Sequence, residues 1–247
     1  MAKKVSLIGR KTYRYNDNIT ILIPTIAQIR GDNEKDEEAF WSEVSLFIKT
    51  PSDMISELDA SGIDFEELSD YSLFILLLSL FHDRENKTCE IFENFSLWDL
   101  KPVANNEGRV IFVDKNGKEI INEQIYNDLS EIIADITGTK KTEKKKFGNA
   151  FAKKKRIERD YYLKEKARKE KDKNESVLDS IILRLVCNSN FPYDFESIQG
   201  CTIYDTMYGL KQVDKDISVD ELMDSRLVGA DLNKLPKDAL NRYALDN

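Results

Sequence analysis

One lysine-rich stretch, residues 140–173, constrains this chain more than any other feature of its 247 residues. It holds 16 basic and 6 acidic residues, a net charge of +10. The rest of the chain holds 21 basic and 39 acidic residues, a net charge of −18, so the whole chain carries −8. The sequence therefore predicts a strongly dipolar molecule, in which a basic segment interrupts an acidic body.

The basic stretch has two competing interpretations. Cations interleaved with aromatic residues are typical of arms that bind single-stranded nucleic acid. Acidic residues interrupt the run, however, and an acidic body repels phosphates, so we do not expect a nucleic-acid partner. The run lacks a sustained heptad of apolar residues. We favour an exposed helix that connects two parts of the chain or contacts an acidic protein surface.

The region before the stretch has mixed secondary structure. Residues 5–9 and 18–29 alternate like strands around the polar YNDN, which predicts a hairpin followed by an extended segment. Residues 32–50 and 63–81 have helical patterns, the second apolar all round in its last turns, as in a core helix. Lys115-Asn116-Gly117 between apolar runs predicts strands at about 109–114 and 118–121. A helix then begins after Asn122 and ends near Gly138.

After the stretch the sequence is helical. Residues 177–187 form an amphipathic pattern, and residues 191–200 (FPYDFESIQG) predict a short helix after an aromatic elbow. Thr202 with Asp205, and Ser218 with Glu221, each predict a capped helix start. The fold class is therefore α+β: a mixed domain with β-hairpins and helices at 1–138, a basic connecting helix at 139–175, and a small all-helical domain at 176–247.

The sequence offers no catalytic, cofactor-binding or metal-binding pattern. His82 is the single histidine, and three cysteines at wide spacings, Cys89, Cys187 and Cys201, favour neither a zinc site nor a disulfide framework. No phosphate-binding glycine motif occurs. The longest apolar run, residues 71–81, is about half the length that a membrane span needs. We expect a non-enzymatic protein made in the cytoplasm.

The second half of the chain combines an order of helices around a charged spacer with a set of aromatic and small residues. The stretches are IINEQIYNDLSEIIADITG, VLDSIILRLVC, FPYDFESIQGCTIYDTMYGLKQV and VGADLNKLPKDALNRYAL, with Tyr193, Thr202, Tyr204, Tyr208, Leu210, Gly229, Ala230 and Asp231 as the marker residues. This pattern resembles small virion and baseplate-associated proteins of tailed phages and of phage-tail-like particles of Gram-positive bacteria.

This resemblance implies a structural role in a tail or tail-like particle, within a large symmetric assembly whose partners are other tail or baseplate proteins. Two alternatives stay open: a tail assembly chaperone, and a regulator that binds nucleic acid through the lysine-rich stretch. Aromatic residues on an exposed polar helix are what an interface core buries, so this stretch supplies the contact candidates. They are Phe151, Ile157, Tyr161 and Tyr162, with Lys153, Lys154, Lys155 and Arg156 beside them.

Overall fold

The computed structural model has an α+β fold, as the sequence predicts. It describes residues 6–31, 34–81, 91–144, 147–170, 176–188, 191–227 and 239–241. Two small antiparallel sheets lie among eight helices in these residues, and the C-terminal part is mostly helical. His82, Cys89 and most of the 228–245 stretch fall outside the described residues.

The first sheet is a short hairpin of β1 (Thr12–Arg14) and β2 (Thr20–Leu22), with Tyr13 opposite Ile21. The hairpin is confirmed, but its first strand lies later than expected. The reason is a turn around Gly9, which has a φ of 69°. In this turn the Arg10 amide donates a hydrogen bond to the Leu7 carbonyl. This left-handed conformation suits glycine and interrupts an extended chain there.

The extended segment expected through residue 29 is wrong, because the chain turns into α1 (Ile26–Arg30). Thr25 and Gln28 form a reciprocal capping box, in which each side chain accepts a hydrogen bond from the other residue's backbone amide. A capping box satisfies amides that a helix start leaves without partners, so it favours the helix over the strand. It directs Ile26 and Ile29 into the core.

Three further helices precede the second sheet. α4 begins seven residues later than its apolar pattern predicts, because the Ser69 hydroxyl accepts a hydrogen bond from the Ser72 amide and caps the helix there. A 3₁₀ turn at Pro51–Asp53 separates the first two helices. The three are α2 (Glu34–Ile48), α3 (Ile55–Ala60) and α4 (Asp70–Phe81).

The second sheet has three antiparallel strands in the order β3 (Lys101–Ala104), β4 (Val110–Val113) and β5 (Glu119–Ile121). The hairpin at Asn116-Gly117 is confirmed, and Gly117 has the φ of 78° that its turn needs. The sequence pattern does not predict β3, which follows a 3₁₀ turn at Leu97–Asp99.

The core is built around the aromatic ring of Tyr126, on α5 (Glu123–Ile136). Asn122 caps α5 as predicted. The Tyr126 ring centroid lies 4.9 Å from that of Phe74 on α4, and 6.0 Å from that of Phe47 on α2. The Ser130 hydroxyl donates to the Phe47 carbonyl beneath it. Three helices therefore meet at one buried aromatic cluster.

The remaining helices are α6 (Ala150–Glu170), α7 (Val177–Val186) and α8 (Ile203–Leu227), with a 3₁₀ turn at Ser197–Gly200. The helix start at Thr202 is confirmed, because its hydroxyl accepts from the Asp205 amide. The start predicted at Ser218 is wrong. Its hydroxyl donates to the Asp214 carbonyl one turn back, so Ser218 lies inside one continuous helix and caps nothing.

Carboxylates of the N-terminal region hold the later helices in place. The nearly buried Glu37 carboxylate accepts from the Ser176 hydroxyl (2.6 Å) and the Leu178 amide (3.1 Å) at the start of α7, and from Trp41 Nε1 (3.3 Å). Arg30 pairs with Asp179 beside it. Buried residues from both halves belong to one apolar cluster. The division at 138/139 and 175/176 stays a prediction.

We predict that Glu37→Ala lowers the free energy of unfolding by about 2 kcal/mol, because the change leaves buried donors without an acceptor. Urea unfolding followed by circular dichroism measures the loss. The neighbouring Glu38→Ala, at an exposed position, is the control and should change stability by less than about 0.5 kcal/mol. Equal effects of the two changes would contradict the anchoring role of Glu37.

Candidate functional site

Helix α6 carries the predicted contact residues, and charged groups attach one of its sides to the body. Lys153 Nζ lies 2.7 Å from both carboxylate oxygens of Asp64 and 2.9 Å from Glu66 Oε2. The same ammonium lies 5.0 Å from the centre of the Phe65 ring. The first half of α6 is therefore bound to the turn that follows α3.

Lys164 attaches the second half of α6 to α3. Its Nζ lies 2.5 Å from Glu57 Oε2, 2.8 Å from Asp160 Oδ2 and 2.9 Å from the Asp53 carbonyl oxygen. The Asp160 carboxylate in turn accepts from the Ser56 amide (3.1 Å) and hydroxyl (2.8 Å). An amide in the first turn of a helix has no partner within that helix, so Asp160 caps α3 from outside.

Apolar packing adds a small contact at the same interface. Ile157 lies half-buried against the core between the two lysines. Phe147, just before α6, meets the Phe65 ring edge-on with centroids 6.1 Å apart, and its amide donates to Glu66. Helix α6 therefore has a narrow inward side, which we define as Lys153, Ile157, Asp160 and Lys164.

The pKa values of the carboxylates that hold α6 are shifted by this attachment. The hydrogen bond from Lys153 holds the pKa of Asp64 below its ordinary value. The Phe147 amide, and then Lys153, lower the pKa of Glu66. Burial pushes the pKa of Glu57 and of Asp160 upward, but hydrogen bonds from Lys164 and Ser56 outweigh it and both values are lowered. The charged forms are thus the ones that bind α6.

The opposite side of α6 is exposed and combines aromatic rings with cations. Phe151 is 71% exposed and Tyr162 is 67% exposed. Eleven residues separate them, which is close to three helical turns, so the two rings lie on one line about 16 Å apart. Lys155 lies between them, with its Nζ 5.8 Å from the Phe151 ring centre. Tyr161 (63% exposed) and Leu163 flank the line.

The structure thus separates the eight predicted contact residues. Lys153 and Ile157 face the chain's own body, and Arg156 is half-buried beside them. The others lie on the exposed side: Phe151, Lys154, Lys155, Tyr161 and Tyr162. We define the outward face as Phe151, Lys155, Arg159, Tyr162 and Lys166.

Sequence reasoning missed the residues that fix the helix. Lys164 and Asp160 stand four positions apart, a spacing that brings side chains together on a helix, so the pair itself could have been found. Their contacts with Ser56 and Glu57 lie more than 100 positions away in the chain. Only the fold brings these residues together.

The described part of the chain lacks two other common features, a metal-binding cluster and a membrane-spanning helix. No group of histidine, cysteine, aspartate and glutamate there has the arrangement needed to hold a metal ion. Cys187 is exposed, and burial raises the pKa of the half-buried Cys201. None of the helices within those residues combines the length and apolar composition required to cross a bilayer.

Comparisons with protein-family models, with curated proteins and with solved structures found no match to this chain. The function must therefore be argued from the side chains themselves, and α6 is where exposed apolar rings and unbalanced charge occur together.

We predict that Lys164→Met loosens α6. In the wild type, folding lowers the pKa values of Glu57 and Asp160. The stability that these two carboxylates contribute is therefore fully present above their ordinary pKa, near 4, and is lost as the pH falls through their lower pKa values in the folded protein. At pH 7, amide exchange in residues 150–164 should rise roughly three- to tenfold in the variant, since a partly exposed ion pair contributes little.

Two observations check this prediction. NMR titration should show the pKa values of Glu57 and Asp160 rising in Lys164→Met, because their cationic partner is gone. Lys154→Met, which removes an exposed lysine adjacent to the anchor Lys153, is the control. Unchanged exchange and unchanged carboxylate titration in Lys164→Met would contradict the attachment.

Proposed function

We propose that this chain is a non-enzymatic structural component of a phage tail or tail-like particle, where it connects neighbouring subunits through protein contacts. The observation that supports this is the two-sided helix α6. One side is bound to the body by Lys153 and Lys164, and the outward face presents rings and cations to a partner.

The outward face has the composition of an interface core. Exposed aromatic residues on a polar helix are costly to leave in water, and aromatic residues dominate the binding energy of protein interfaces. Because Phe151 and Tyr162 lie on a helix that is held in place, little conformational entropy is lost when a partner covers them. The cations between them favour an acidic partner surface, through complementary charge.

The location in a tail rests on the resemblance of the second half of the chain. The described part of that pattern forms α5, α7 and α8, which pack with each other and with the body. The partners would be other tail or baseplate proteins, and the protein would be made in the host cytoplasm before it joins the particle. We infer no cofactor, metal or membrane for this role.

The test is the composition of purified particles. Mass spectrometry of particles from the producing strain should find this protein at a small fixed ratio to the tail-tube subunit. Phe151→Ala/Tyr162→Ala should reduce its incorporation at least about tenfold, because two buried rings contribute more than about 1.4 kcal/mol. Phe195→Ala, which removes a ring that is 56% exposed in another segment, is the matched control and should incorporate normally.

Other results would contradict the proposal and identify an alternative. Absence from particles together with a stable complex in lysate would indicate an assembly chaperone. Binding to nucleic acid that falls steeply with salt, and is lost when Lys154 and Lys155 become glutamate, would indicate a regulator.

A further inference from the structure

We propose that the outward face of α6 docks on the C-terminal half of α8 in a second copy of this chain. The inference rests on the docking role that the proposed function gives to α6, and it names the partner of that surface. It does not depend on the phage-tail assignment, because it concerns what the purified protein does alone.

The exposed side of α6 is basic, even though Lys153 and Lys164 point inward. Asp160 is turned inward to bind Ser56 and Lys164 and so does not reduce the charge of the exposed side. Glu158 is the one acidic residue among the exposed positions described in α6, and its carboxylate lies 3.7 Å from Lys155 Nζ. The exposed cations of the helix are Lys154, Lys155, Arg159, Lys166, Arg168 and Lys169.

The C-terminal half of α8 has the complementary surface. Its exposed positions from 217 to 224 include three carboxylates, Asp220, Glu221 and Asp224, and no cation. Two apolar side chains accompany them, Ile217 (38% exposed) and Met223 (45% exposed). Positions three, four and seven residues after Ile217 lie on one side of a helix, so the carboxylates form a ladder beside Ile217. We call Ile217, Asp220, Glu221 and Asp224 the acidic face of α8; Met223, six residues after Ile217, lies about 120° around the helix, at the margin of this face.

Charge and apolar side chains both fit a second copy. This chain's own carboxylates already bind the lysines on the inward side of α6, so the same chemistry can bind the outward side from another molecule. Methionine and isoleucine can pack against Phe151 and Tyr162 while the carboxylates meet Lys155 and Arg159. A phosphate backbone is a poorer occupant, because it would approach a body that carries −18 outside the basic stretch.

The two faces are different surfaces of one molecule, so the contact is head-to-tail. Such a contact lets every copy use both faces, and repetition gives a closed ring or an open chain. Two short helical faces bury less than the 1,200–2,000 Å² or so of a stable complex. The association should therefore be weak for the free protein, and should depend on protein concentration and on salt.

Sedimentation equilibrium of the nuclease-treated full-length chain tests this. At about 0.1 M salt the weight-average mass should rise with protein concentration. At about 1 M salt it should stay near the monomer mass, because the Debye length falls from about 10 Å to about 3 Å and the attraction between the two faces is screened. Reversing the outward face (Lys155→Glu/Arg159→Glu/Lys166→Glu) or the acidic face (Asp220→Lys/Glu221→Lys/Asp224→Lys) should weaken self-association at least tenfold.

A mixture of the two charge-reversed variants gives the decisive experiment. Each should be monomeric alone, but an equimolar mixture should associate, because the reversed outward face of one meets the reversed acidic face of the other. Lys49→Glu/Lys101→Glu/Lys115→Glu, at exposed sites elsewhere, lowers the net charge by as much as the reversal of the outward face does, and this variant should self-associate like the wild type. Circular dichroism and thermal melting confirm that each protein compared is folded.

Three outcomes would overturn the inference: a wild-type protein that stays monomeric at every concentration and salt, reversed proteins that associate like the wild type, or a mixture that does not associate. Tight binding of a labelled single-stranded oligonucleotide by a monomeric wild type would assign the outward face to nucleic acid instead. These outcomes are separate from particle composition: a monomeric protein found in particles refutes self-docking alone, and a self-associating protein absent from particles refutes the tail assignment alone.

Discussion

The position of α6 depends on two lysines that reach carboxylates on one side of the helix. Lys153 and Lys164 are the anchors, and Ile157 provides the one apolar side chain between them. Because α6 has no continuous apolar stripe, its inward side is selected by charge pairing rather than by burial of hydrocarbon. That selection also determines which residues are left for a partner, since it turns Phe151 and Tyr162 to the opposite side.

The same kind of contact recurs at three places where a later segment meets the N-terminal region. Glu37 binds the start of α7, Glu66 binds the Phe147 amide, and Glu57 binds Lys164. These contacts span 81 to 141 positions in the sequence. The acidic body is therefore an attachment surface for the second half of the chain. Part of the negative charge of the body is paired with lysines of the basic stretch within the same molecule.

Sequence signals succeeded where a local interaction decides the structure. The Asn116-Gly117 turn, the Asn122 cap and the Thr202 cap each involve residues a few positions apart, and all three are confirmed. Ser218 shows the limit of such signals. A hydroxyl followed by a carboxylate resembles a helix start, but Val213 and Val219 are both buried, and burial on either side favours one unbroken helix.

The candidate site was predicted less completely, for a related reason. Composition identified the right helix and its exposed rings, because cations and aromatic residues are visible in the sequence. It could not assign an inward side, because Lys153 and Lys154 differ only by 100° around the helix, and the carboxylates that choose between them lie on α3 and the turn after it. The outward face follows only once those distant residues are placed.

Photo-crosslinking from two positions of α6 tests the central claim most directly. A photoreactive phenylalanine analogue at Tyr162 should crosslink to another polypeptide in assembled material, whereas the same analogue at Ile157 should crosslink within its own chain, to residues 53–66. Crosslinks to other polypeptides from position 157, with none from position 162, would show that the two sides of α6 have the opposite roles.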